Sequence, residues 1–164
     1  MRLILLSIAF LGTCLVTNAQ KTGTLIRKAS AFYTSMLPGT VRMGEDGQPI
    51  NPGPIINRVI YLECTGNRAP VIDNVLYNNT PFKPRLSRIN ENMIAVGKIS
   101  AKSKEYTILA QKGNKLWKME LEEIEGQAKV AADCRNIIVR TKAGGKLSKF
   151  YIFQETQLYT PPTY

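Results

Sequence analysis

The sequence predicts a mostly β chain, an antiparallel β-sandwich or small barrel of about seven strands, with a Pro/Gly-rich segment near the N-terminus. Three observations point there. Short runs rich in β-branched and aromatic residues recur between clusters of Gly, Pro and Asn. Over Lys115–Glu122 the alternation is clean: Trp117, Met119 and Leu121 fall on one side, Leu116, Lys118, Glu120 and Glu122 on the other. Two Gly-containing dipeptides, Gly113-Asn114 and Gly144-Gly145, sit between such runs and suit two-residue hairpin loops.

Taken in order, residues 20–36 are ambiguous. Leu25, Ala29, Phe32 and Met36 fall at helical spacing, yet the Thr, Ser and Tyr between them suit a strand. From Leu37 to Pro54 the density of Pro and Gly blocks regular structure and predicts a loop or tether. Expected strands follow at Ile55–Cys64, Val71–Tyr77, Met93–Ile99, Glu105–Gln111, Lys115–Glu122, Asn136–Lys142 and Lys146–Glu155. The expected organisation is therefore a leader over 1–19, an arm and loop over 20–54, a β-domain over 55–159 and a short tail over 160–164. Pro161 and Pro162 extend that tail. The order Cys64, Trp117, Cys134 does not fit an immunoglobulin domain, where the Trp follows the first Cys closely.

The leader reads as a secretory signal peptide. Arg2 supplies a positive start, Leu3–Val16 an apolar run, and Thr17-Asn18-Ala19 a small-residue cleavage site. The run is too short to span a bilayer, and no later segment is apolar enough, so the processed chain has no transmembrane segment. Export to the periplasm or the extracellular space is the expectation. Processing leaves Cys64 and Cys134 of the 3 cysteines, and an even count in an oxidising compartment predicts a Cys64–Cys134 disulfide. Two buried thiols are the alternative.

The chain has 164 residues and no His. That excludes Ser-His-Asp and Cys-His nucleophile pairs and His-ligated zinc. Glu120, Glu122, Glu123 and Glu125 form an acidic cluster without EF-hand spacing, which reads as a solvated strand edge. Ser100, Lys102 and Ser103 read as turn residues rather than a Ser-Lys nucleophile. Asn78-Asn79-Thr80 matches the N-glycosylation pattern, with meaning only in a eukaryotic secretory pathway. No catalytic residue, metal site or cofactor is predicted, and the expectation is that the protein is not an enzyme.

Charge is the strongest signal. Lys and Arg total 22 against 12 Asp and Glu, and residues 83–149 alone carry 15 against 7. The bases cluster at expected strand ends and turns: Lys98, Lys102 and Lys104, then Lys112 and Lys115, then Arg140, Lys142, Lys146 and Lys149. Gathered at one end of a sandwich they would form a positive rim that steers an anionic partner. Scattered, they merely solvate hairpin tips, and successive turns of a meander alternate ends.

Nucleic acid is disfavoured as a partner, because Phe150, Tyr151 and Phe153 lie in an apolar run that reads as core rather than as stacking surface. The expected function is an exported, non-catalytic binding or assembly module, an accessory of the cell envelope or extracellular space. Its partner would be a protein, or an anionic glycan or lipid headgroup. The alternatives are a small-ligand carrier with an apolar barrel pocket, or a His-free hydrolase.

Overall fold

The computed structural model describes residues 25–37, 42–47, 49–50, 53–143 and 145–161. The expected leader over 1–19, Gly144 and the last three residues of the tail lie outside the described residues. Every regular element among those described is a strand: β1 Ile26–Met36, β2 Arg42–Met43, β3 Pro49–Ile50, β4 Ile55–Thr65, β5 Ile72–Tyr77, β6 Thr80–Arg88, β7 Met93–Lys98, β8 Glu105–Leu109, β9 Asn114–Glu123, β10 Ile137–Ala143, β11 Lys146–Ile152 and β12 Glu155–Gln157.

Eight strands form one sheet in the order β11-β10-β5-β6-β9-β4-β1-β12, and all neighbours are antiparallel except β1 and β12. The outermost strands, β11 and β12, are separated in the chain by Phe153 and Gln154 alone. Such a link cannot cross a flat eight-stranded sheet with neighbouring strands about 4.8 Å apart, so the sheet curls until its edges come together and β11 lies alongside β1. The mostly β, sandwich-or-barrel expectation holds. The sheet starts at Ile26, well ahead of the expected domain boundary at Ile55, because Ile26–Met36 of the ambiguous N-terminal segment pairs with β4.

Alternation divides each strand between two clusters. The inner face gathers Ala31, Ile60, Leu62, Cys64, Val75, Tyr77, Phe82, Trp117, Met119, Ile137, Val139 and Ile152. The opposite face of β1, β4 and β9 carries Phe32, Tyr61 and Leu116, and the β7–β8 hairpin covers it with Ile108 and its neighbour Ala110. The Phe32 and Tyr106 rings meet there at 5.4 Å. The chain end stitches the layers together: Leu158 N donates to Tyr33 O at 2.8 Å and Tyr159 N to Lys98 O at 2.7 Å.

The two turn expectations divide. β10 and β11 do form the expected hairpin, with Ala143 opposite Lys146 and Gly145 at φ +78°. The second turn closes around Lys112-Gly113, through Asn114 N to Gln111 O at 3.0 Å. It does not make β8 and β9 partners: β8 pairs with β7, and β9 with β4 and β6, so the chain changes layer at this point. Buried Glu63 fixes the crossing by accepting from Gln111 N at 2.9 Å and from Asn114 Nδ2. Asn78 and Asn79 both adopt positive φ, as a type I′ connection between β5 and β6 requires.

The expected Cys64–Cys134 disulfide is absent, and both thiols are free and buried. The register explains why. Glu155 N donates to Cys134 O, and Glu155 stands level with Ala31 and Ile60. Cys64 lies four residues further along β4, about 13 Å at strand rise, beyond the reach of a disulfide. Burial and the adjacent Glu63 push the Cys64 thiol up to about 12. We expect it to resist alkylation in the folded protein at pH 8. Unreduced protein, alkylated after denaturation, should show both Cys64 and Cys134 modified by mass spectrometry; a linked peptide pair would contradict this.

Candidate binding surface

The nine bases singled out by the sequence do not share one rim. Lys98 ends β7 and Lys102 and Lys104 follow in its turn to β8, whereas Lys112 lies beyond the far end of β8. Lys115 stands opposite Cys64 at the end where β1 begins. Following the antiparallel registers through β6 and β5, Lys142 and Lys146 fall at that same end. Arg140 and Lys149 lie between the two ends, within β10 and β11.

The two within the sheet are the informative pair. Arg140 is directly opposite Lys149, which brings two cations to a Cβ separation of about 5 Å at a cost to the fold. Asn74 continues that row on β5. Beside it Tyr151, Ile138, Leu76 and Pro81 make an apolar row across four strands. On the other side Leu147 faces Lys142. All these positions alternate with Ile137, Val139, Phe150 and Ile152, which pack on the inner core. They therefore look outward, on the side of the barrel opposite to the covering hairpin.

Contrary to expectation, Phe150, Tyr151 and Phe153 do not all belong to the core. Only Phe150 and Ile152 of that apolar run turn inward; Tyr151 is 49 % and Phe153 79 % exposed, and Leu147 is 64 % exposed. A run apolar on both faces hides which face has a cover. The surface left open is basic and apolar together.

Its cations are uncompensated. Among the described residues no carboxylate forms an ion pair with Arg140, Lys142, Lys146 or Lys149, and Arg140 Nε has no hydrogen-bond partner. On β6 and β9 two cations are matched: Arg85 pairs with Glu122 at 2.9 Å and Lys118 with Glu120 at 2.6 Å. The Lys118 bond holds the Glu120 carboxyl below its ordinary range. Half of the acidic cluster is thus engaged in neutralising its own sheet. Ser103 Oγ is similarly occupied within its turn, donating to Ser100 O at 2.9 Å and accepting from Ser100 N and Ile99 N.

One polar centre escaped the sequence reading. Inside the barrel Arg58 Nε lies 3.4 Å from Glu155 Oε2, both side chains being almost wholly buried. Arg58 Nη2 donates to Val130 O at 3.0 Å and Ala131 O at 2.7 Å, and the guanidinium rests on the Tyr77 and Phe82 rings at 5.0 and 5.6 Å. Glu155 Oε1 accepts from Cys134 N at 3.4 Å. Burial raises the Glu155 carboxyl, with Arg58 opposing the rise, and burial likewise drives the Tyr77 hydroxyl far up. The pair fastens β4, β12 and the 124–136 connection to one another. Its partners are 97 residues apart in the chain, and the available signal was a charge inside the apolar strand that holds Arg58.

Compared with known protein families, curated proteins and solved structures, the chain matches none.

Proposed function

We propose that this chain is an exported, non-catalytic binding or assembly module that recognises an anionic partner through the outer face of β10 and β11. The observation that carries the reading is the Arg140–Lys149 pair, two cations held face to face without a carboxylate among the described residues. A partner anion seated between them removes their repulsion. Lys142 and Lys146 extend the positive field toward the end of the barrel and steer association. The interior is occupied by Tyr77, Trp117, Met119 and the Arg58–Glu155 pair, which favours recognition at the surface over carriage of an apolar ligand within.

The test uses envelope material from the source cells, with the processed protein and its Lys142→Gln/Lys146→Gln/Lys149→Gln variant. The wild type should be retained at low salt and released as salt rises, and the variant should bind about tenfold or more weakly with a shallower salt dependence. Equal affinities at low salt would sink the reading. Export has its own check. The N-terminus of the protein recovered from cells should be Gln20, and a chain that retains Met1 would contradict it.

A further inference from the structure

We infer that the anionic partner of this face is a lipid bilayer surface. The inference rests on the preceding reading that the β10–β11 face binds an anion, and names the partner from the chemistry of the apolar residues among the cations. Leu147 is 64 % exposed and Val71 61 %, and Val71 O accepts from Lys142 N at 2.9 Å. Aliphatic side chains stack on neither sugars nor bases. Tyr151, Phe153 and the cations alone would also serve a single strand, but the exposed Leu and Val between lysines have no part in stacking. A bilayer uses all of them.

Along β11 the outward positions read Leu147, Lys149 and Tyr151, with Phe153 just beyond the strand. From Leu147 to Phe153 the chain covers about 20 Å, so this strand lays a line of apolar anchors and one cation along a single side of the sheet. It is the strand counterpart of an interfacial amphipathic helix, with apolar groups entering the acyl boundary and cations among the headgroups. A Tyr with one apolar and one wet end suits the headgroup level, and 49 % exposure leaves Tyr151 free to sit there. Arg140, Lys142 and Lys146 flank the line, and each cation near an anionic membrane strengthens binding about fivefold. Leu76 within this face is buried, and its open part is Leu147, Tyr151 and Phe153 with the cations beside them; the β7–β8 hairpin lies over β1, β4 and β9 instead.

The experiment is sedimentation of the processed protein with equimolar phosphatidylcholine/phosphatidylglycerol vesicles, with phosphatidylcholine vesicles, and, in parallel, retention on immobilised dextran sulfate and on a single-stranded oligonucleotide. Binding to the mixed vesicles, at least about tenfold stronger than to phosphatidylcholine alone, is expected. Leu147→Ser/Phe153→Ser should weaken vesicle binding by about tenfold or more while leaving dextran sulfate retention unchanged. Lys142→Gln/Lys149→Gln should weaken both, and unaltered thermal midpoints confirm that each variant is folded. Retention on dextran sulfate or the oligonucleotide without vesicle binding would overturn the lipid assignment and leave the anion-binding face standing. Binding to none of the probes at low salt would overturn both.

Discussion

Replacing Arg58 with Met is expected to lower the unfolding free energy by about 3–5 kcal/mol at neutral pH, because it leaves a buried carboxylate without its counter-charge. The loss includes the two carbonyl acceptors at Val130 and Ala131 and the stacking on Tyr77 and Phe82. The deficit should depend on pH in a defined sense. Burial already raises the Glu155 carboxyl above 4.5, so the folded state holds that proton more tightly than the unfolded chain does. A group raised in this way contributes stability that is fully present below the unfolded value and is lost as pH rises through the folded one. Removing Arg58, which opposes the rise, pushes the folded value higher still. The variant should therefore recover part of its stability as the solution is acidified from neutrality toward the carboxylate range. Arg58→Met/Glu155→Met should recover most of it at every pH, since neither charge then remains to be desolvated. Urea unfolding of the wild type and both variants at pH 7 and pH 5 measures this. A single variant as stable as the wild type, or a deficit independent of pH, would show that the pair is not the lock of the barrel.

The second large effect separates binding from stability. Lys149→Glu places a carboxylate opposite Arg140, turning a repulsive cross-strand pair into an attractive one. The fold should gain up to about 1 kcal/mol. Affinity for the anionic partner should meanwhile fall about 25-fold, because one cation is removed and one anion added at about fivefold each. Lys98→Glu, in the hairpin on the other side of the barrel, should leave partner affinity nearly unchanged and serves as the control. A more stable protein that binds worse is the signature of a site whose composition serves a partner at the expense of the fold. If Lys149→Glu binds as well as the wild type, Arg140 and Lys149 are only solvating residues.

The sequence showed most where one face of a strand differs from the other. The expected split of β9, with Trp117, Met119 and Leu121 against Leu116, Lys118 and Glu120, is the observed one. It was less informative where both faces are covered. In β1, Ala31 faces the barrel interior and Phe32 the hairpin layer, so alternation disappears and a helix reads equally well. β6 is not among the strands expected from the sequence; Pro81 and Pro84 within it each have a paired neighbour on one side only, Pro81 with β5 and Pro84 with β9. A missing N–H is tolerated at such positions. The basic residues were visible, but their grouping was not. The outward direction of Tyr151 and Phe153 depends on where the β7–β8 hairpin folds over, and that is a long-range event without a local signature. The Arg58–Glu155 pair is hidden for the same reason.

Differential lysine acetylation in the presence and absence of the partner-bearing envelope material tests the binding face most directly, because it reads each amine separately. Protection of Lys142, Lys146 and Lys149, with Lys98, Lys102 and Lys104 left reactive, is the predicted pattern. Protection confined to Lys98, Lys102 and Lys104, or spread evenly over both groups, would contradict the assignment of the β10–β11 face.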